Sequence, residues 1–382
     1  VQTITPEDVE RQRLQLEERI AAEPAAFRIL TGDRPTGPLH LGHYFGTLAN
    51  RVRLQRAGVE LFVLVADYQV LTDRDVADHL AEHVEGLVAD YLAVGVDPST
   101  ATIFRHSAVP ALNQLMLPFL SLVSIAELRR NPTVKEEITA SRQASVSGLM
   151  FTYPVHQAAD ILFCKATLVP VGRDQLPHQE ITRTIARRFN ERYGPVFPVP
   201  DALLSDAPLV LGTDGQKMSK SRGNAIALSA TADETARLIK RAVTDDERHI
   251  AYAPETRPGV SNLVLIAALC QGRDPHEVAA EIGAGGAAAL KRVVTESVNE
   301  FLRPIRARRA ELAADRGYLR GVLAEGDARA NAVADRTLVE VRAAMAGGGA
   351  AGGGATGGVA GDGAAGGGVA GGGVAGGGAV SR

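Results

Sequence analysis

The sequence predicts an α/β fold: a parallel sheet with a helical insertion, followed by an all-helical domain. Three observations predict it. The runs "FRIL", "ELFVLVADYQ", "ATIFRHS" and "ATLVPVG" are short, apolar and rich in branched or aromatic residues, as buried strands are. Helix-length segments such as "VADHLAEHVEGLVADYLAVG" and "QEITRTIARRFNERYG" separate them. Strands alternating with helices in this way form a parallel sheet with right-handed crossovers. From residue 226 onward no convincing strand remains, and amphipathic helices such as "ADETARLIKRAVTDD" and "VSNLVLIAALCQG" take over.

Taken in order, residues 1–26 form a polar helical arm. Thr5 serves as its N-cap, Pro6 fits the first helical position, and Asp8 stands where a capping-box acid would. The helix is highly charged, so it is expected to be a solvated arm or, alternatively, a contact to RNA or a partner. Residues 27–225 carry the sheet. Within them, residues 112–163 hold helical runs with no clear strand and read as an insertion. Its segment "LMLPFLSLVSIAELRRN" is apolar enough to be either a core helix or a dimer interface. Residues 226–345 form the helical domain. From Ala346 to the end the chain is nearly all Gly and Ala, which loses too much entropy and buries too little surface to fold alone, and it is expected to be a disordered tail.

Composition narrows the function. The chain has 382 residues, 45% hydrophobic content and a net charge of −3, an ordinary soluble balance in which any RNA contact must rely on local basic patches. Cys164 and Cys270 are far apart and in no metal-ligand spacing, which suits a reducing cytoplasm. No stretch approaches the roughly 18 apolar residues of a membrane span, and no signal-peptide core precedes the arm.

Two stretches carry the chemistry. In "RPTGPLHLGHYFG", His40 and His43 flank Gly42 where a strand ends and a helix begins. A helix N-terminus offers free N–H groups and a positive dipole end, which suits phosphate. About 175 residues later, "LGTDGQKMSKSRGN" sets Lys217 and Lys220 around Met218 and Ser219 in a Gly-bounded loop. Two lysines on long stems with hydroxyl and backbone donors make a mobile phosphate clamp. His40, His43, Asp67 and Gly172 all fall at the carboxyl ends of the expected strands, where ligands of such sheets bind.

The pair "HLGH" and "KMSKS" resembles the two signatures of class I aminoacyl-tRNA synthetases, complete and in order. "TLVPVGRDQLPHQEITRTIARRFNERYG", "YPVHQAADIL", "RAVTDDE" and "PGVSNL" are similar to bacterial tryptophanyl-tRNA synthetases, in particular their divergent second type, from about Leu30 to Met345. The resemblance implies a Rossmann-type doubly wound parallel sheet, an anticodon-binding helical domain and a homodimer. It also implies ATP-dependent activation of L-tryptophan, with Mg²⁺ borne by ATP, and transfer to tRNA(Trp). No prosthetic group, resident metal or membrane is implied.

Residue by residue, His40 and His43 then donate to phosphate oxygens, and Gly42 lets adenosine approach the backbone. Arg34, Pro35 and Thr36 lead into the ATP site. Lys217 and Lys220 hold the pyrophosphate portion, with Met218, Ser219 and Ser221 in the same loop. Gly172, Arg173 and Asp174 match the second ATP segment, where Asp174 binds the ribose hydroxyls and Arg173 replaces a commonly acidic residue. Val210 packs near the adenine. In the amino-acid pocket, Asp160 accepts the indole N–H, Tyr153 and Gln175 bind the α-amino group, and Val169 and Val171 form apolar walls. Gln69 and Gln157 border the pocket where the common bacterial enzyme has histidine and methionine, so inhibitors that mimic tryptophan and rely on that histidine should bind poorly. Tyr153, Gln157 and Asp160 also match a tyrosyl-tRNA synthetase pattern, which keeps tyrosine as the alternative substrate. An auxiliary paralogue that activates an amino acid without charging tRNA is the other alternative. Arg303, Arg306, Arg308 and Arg309 are candidates for RNA contact or an ordinary solvated helix face.

Overall fold

The computed structural model describes residues 6–72, 79–132, 134–135, 147–171, 176–204 and 209–347. Five parallel strands form one sheet: β1 (Arg28–Asp33), β2 (Glu60–Val65), β3 (Ala101–Arg105), β4 (Leu168–Val171) and β5 (Asp201–Leu204). Their order is β3-β2-β1-β4-β5. β1 pairs with β2 over its full length, Arg28 opposite Glu60 through Asp33 opposite Val65. Strand order reverses between β1 and β4, and such a switch point opens a crevice at the carboxyl ends of the strands. Buried aliphatic side chains line both faces, among them Ile29, Leu61, Val63 and Ile103 toward one set of helices and Leu30, Phe62, Leu64 and Phe104 toward the other.

The first helix, Pro6–Ala22, is docked rather than solvated. Leu16 and Ile20, one turn apart on a single face, are buried, and Glu17 pairs with Arg53 at 2.9 Å. Thr5 lies outside the described residues. The insertion contains helices Ala111–Leu120, Ile125–Arg130 and Gly148–Phe163. Its apolar run serves two faces: Leu115, Phe119, Leu122 and Leu128 are buried, whereas Leu117 is 73% and Ile125 64% exposed.

Beyond residue 226 the described chain holds no strand, and its helices include Ala232–Lys240, Pro258–Gln271, Gly286–Ala314 and Arg316–Gly347. The described residues form one compact unit, because these helices pack back on the sheet domain. Helix Gly286–Ala314 places Arg309 on Asp90, a carboxylate with no exposure in helix Leu80–Ala93, at 2.5 Å. The last helix lies along β3, the edge strand. Arg329 donates to the Ala101 carbonyl at 2.9 Å, Asp327 accepts from the Arg105 N–H at 2.8 Å, and between them Gly326 sits so close to the Ile103 carbonyl that a Cβ would fall 1.8 Å from it. The expected Gly/Ala tail lies outside the described residues.

Candidate active site

β1 ends at Asp33 and the chain turns through Pro35 and Gly37, whose φ of +120° favours glycine. Helical structure starts at Leu41, so His40 is buried at the entry and His43 lies within the first turn. The His40 N–H donates to His43 Nδ1 at 3.2 Å. Neutral His43 therefore carries its proton on Nε2 and offers it as a donor. Burial pushes His40 down to about 3 and His43 down to about 4, and the nearby Lys220 charge adds to both. Near neutral pH both rings are uncharged hydrogen-bonding groups. Their centroids are 3.7 Å apart, and a Cβ at Gly42 would meet the His40 ring at 3.1 Å and Met218 Cβ at 3.6 Å. The turn thus needs glycine at position 42 for its own packing.

A buried network supports the turn from below. Asp33 accepts from Arg51 at 2.6 Å and from the Tyr91 hydroxyl at 2.8 Å. Burial alone would raise Asp33, but the Arg51 charge, with His43 and both hydrogen bonds, outweighs it and holds the carboxyl down to about 2. On the other side, Asp90 accepts from the Leu39 N–H at 2.8 Å.

The lysine loop closes on this turn. Leu41 N–H donates to Ile226 O at 3.0 Å, and Leu228 N–H to Leu39 O at 2.8 Å. Lys220 Nζ donates to the Gly37 carbonyl at 2.8 Å and to Thr36 Oγ1 at 3.3 Å. Asn224 organises the loop: it accepts from the Ser219 N–H at 2.8 Å and donates to Asp214 at 2.7 Å and to Lys217 O at 3.2 Å. Val210 is buried in the same apolar cluster as Met218 and Leu41, and Asn262 brackets the neighbouring Leu211 backbone with two hydrogen bonds.

The amino-acid end is built from the next two strand ends and helix Gly148–Phe163. Asp160 is 1% exposed, and its Oδ1 is bonded to His106 Nε2 in the turn after β3. The carboxylate of Asp67, just past β2, fixes that turn by accepting from the Ser107 and Tyr68 N–H groups, both at 3.0 Å, and from the Ser107 hydroxyl. Tyr68 stacks on His106 with centroids 6.0 Å apart, and the His156 ring lies 4.3 Å from His106 and 6.5 Å from Tyr68. One ligand atom from each of His106, His156 and Asp160 lies within 4.8 Å of the others. Both imidazole Nε2 atoms already have partners, however, in Asp160 and Asn113, so the trio reads as a hydrogen-bonded set. Asp160 Oδ2 and His106 Nδ1 are buried with no partner among the described residues.

Tyr153, Gln157 and Gln69 are half-buried, and Val169 is buried. Gly172, Arg173, Asp174 and Gln175 lie outside the described residues, as do the side chains of Val171 and Ser221. Arg34 is exposed at the turn. The arginine cluster of helix Gly286–Ala314 is not an open basic face. Arg306 donates to Asn299 and Thr235, and Arg309 serves the buried Asp90, because a carboxylate removed from water needs a cation. Arg303 and Arg308 pair with Glu300 and Glu311 on the surface. Sequence reasoning missed His106, His156, Tyr68, Asn224 and the Asp33–Arg51–Tyr91 network. His106 follows β3 directly and Tyr68 lies just past the end of β2, but neither belongs to a local motif that could have singled it out.

The family model for class I tRNA synthetases of the W and Y group matches residues 23–303. The tryptophan--tRNA ligase of Treponema pallidum is 45% identical over 327 residues, covering 83% of this chain and 96% of that protein. The tryptophan--tRNA ligase of Thermotoga maritima is 40% identical over 327 residues, covering 83% and 98%. Among solved structures, tryptophanyl-tRNA synthetase from Campylobacter jejuni complexed with ADP and tryptophan superposes with a TM-score of 0.73 at 29% identity, over 84% of this chain and 99% of that one.

Proposed function

The chain belongs to the class I tRNA synthetases of the tryptophan and tyrosine group, and from that membership we propose how its cleft works. It is an ATP-dependent ligase that activates tryptophan and charges tRNA with it; the tyrosine and auxiliary-activator alternatives are not favoured. One observation carries the site assignment: Lys220 reaches across to Thr36 and Gly37, so the lysine loop and the histidine turn border a single cleft.

In the first step a tryptophan carboxylate oxygen attacks the α-phosphorus of ATP, supplied as its Mg²⁺ complex. The bond to the β-phosphate oxygen breaks, and pyrophosphate leaves with the electron pair. The nucleophile is already ionised, so no protein base is needed, and the protein positions groups and offsets charge. His43 Nε2–H and His40 donate to phosphate oxygens as charge shifts onto the leaving group. Lys220 exchanges its Thr36 and Gly37 contacts for the phosphates, and Lys217 flanks them. Burial lowers Lys220 from its ordinary value, and the negative phosphates restore its charged form. Asp160 takes the indole N–H, and a phenylalanine ring would leave that carboxylate unpaired. Gly172, Arg173 and Asp174 with Val210 hold the nucleoside, and Tyr153 and Gln175 hold the α-amino group.

Several wider assignments accompany this one. The helices after residue 226 bind the tRNA anticodon stem, and the enzyme works as a homodimer, a reading supported by exposed Leu117 and Ile125 on the insertion. The cytoplasm is its compartment, supported by two unpaired cysteines whose thiols burial pushes up to about 12. Tryptophan-dependent exchange of pyrophosphate into ATP, run beside tyrosine and followed by tRNA charging, tests the whole. Exchange with tyrosine in place of tryptophan would overturn the pocket assignment. Exchange without charging would overturn the second step.

A further inference from the structure

We propose that His106 is a positioning residue for the amino-acid pocket: it holds the Asp160 carboxylate in one orientation, with one oxygen bonded and the other open to the ring nitrogen of tryptophan. The inference rests on the assignment of Asp160 as the indole acceptor. Both side chains are essentially without exposure, at 0% for His106 and 1% for Asp160. A carboxylate removed this far from water needs hydrogen-bond donors to fix its oxygens. Among the described residues no lysine or arginine pairs with Asp160, and His106 Nε2 makes its side-chain bond. That bond uses Oδ1. Oδ2 is left buried and unpartnered among the described residues, an acceptor that a ligand N–H can complete.

The turn that carries His106 is held on several sides. Asp67 binds the backbone and hydroxyl of Ser107, and Asn331 from the last helix donates to the Ala108 carbonyl at 2.7 Å. The Tyr68 and His156 rings both pack against the imidazole. Arg105, one residue earlier, is turned away onto Asp327 at 2.5 Å. The ionisable groups around the pair are therefore Tyr68 from the segment after β2, Asp67 behind Ser107, and His156 from Asp160's own helix, with neutral Asn113 against His156. None replaces His106 as a donor to Asp160.

The chain contains no tryptophan, so the ligand's own fluorescence reports its binding to the full-length protein. Replacing His106 by an apolar residue removes the donor that fixes Asp160 Oδ1 and frees the carboxylate to turn. His106→Leu is expected to weaken tryptophan binding about tenfold. His106→Gln keeps a neutral donor and is expected to restore most of that affinity. The KM for ATP stays unchanged in both. Should His106→Leu fail to fold, His106→Asn, with a shorter side chain, takes its place. Unchanged tryptophan affinity in the Leu or Asn variant, or a loss that persists in the Gln variant, overturns the role of His106. The Asp160→Asn variant tests the underlying assignment separately: unchanged tryptophan affinity there would overturn the indole-acceptor reading.

Discussion

The two ends of the cleft were written into the chain in different ways. The phosphate end comes from two contiguous stretches, residues 34–46 and 211–224, whose residue types and spacing announce their chemistry. The ring end is put together from isolated residues: Tyr68 after β2, His106 after β3 and Asp160 on a helix, with His106 and Asp160 separated by 54 positions. The contrast has a physical origin. Phosphate is bound largely by backbone N–H groups, glycine turns and mobile cations, all properties of local sequence. An aromatic ring with one polar atom needs walls and a single acceptor, which several elements must converge to supply.

Each end can be broken without the other. The largest effect is expected from Lys220→Ala, which removes a cation from the phosphate end. Pyrophosphate exchange should fall by about 10²–10³-fold while tryptophan affinity, read by ligand fluorescence, holds. A parallel loss of tryptophan affinity would show that the ends are coupled. Next is Arg309→Ala, which strands the Asp90 carboxylate behind the histidine turn. Because Arg309 is partly exposed, the loss in a denaturant titration should be about 2–3 kcal/mol, below that of a fully buried pair. Exchange should drop along with stability, since Asp90 also holds the Leu39 N–H.

A smaller effect follows from pH. His40 and His43 sit at about 3 and about 4 in the fold, both below the ordinary 6.5. The unfolded chain therefore binds more protons as acidity rises. The stability these neutral rings contribute is fully present above about 6.5 and is lost as the pH falls through 6.5 toward 4 and 3. Thermal unfolding between pH 7 and pH 4 should flatten when both are replaced by asparagine; an unchanged slope would assign the loss elsewhere. The smallest effect belongs to the surface. Arg303→Ala breaks an exposed pair with Glu300 and should change stability by no more than about 0.5 kcal/mol.

The sheet and its parallel sense were legible before any coordinates, and so were the two motifs proposed for the phosphate end, because alternating apolar runs and local motifs are properties of short windows. β5 was not. Its four residues, "DALL", begin with a charge and are too short for a periodic signal. Asp160 was singled out by its resemblance to the family's indole-binding residue, with apolar helical neighbours in support, whereas its partner His106 was invisible, because a lone histidine in "FRHSA" has no pattern until β3 and the helix meet. The supposed solvated arm and the supposed basic helix face failed for one reason. Charge density predicts exposure only on average, while Ile20 and Arg309 each answer to a neighbour distant in sequence.

The final helix has a consequence for how the molecule is made. Its 32 residues close the open side of β3, where Arg329, Gly326 and Asp327 meet the strand backbone at alternate positions. A ribosome delivers that helix only after the whole sheet. Until then the nascent sheet keeps an unsealed border that can recruit strands from other chains. Messages truncated ahead of Arg316 should therefore yield aggregates rather than a smaller enzyme, even though every motif of the cleft has already been translated.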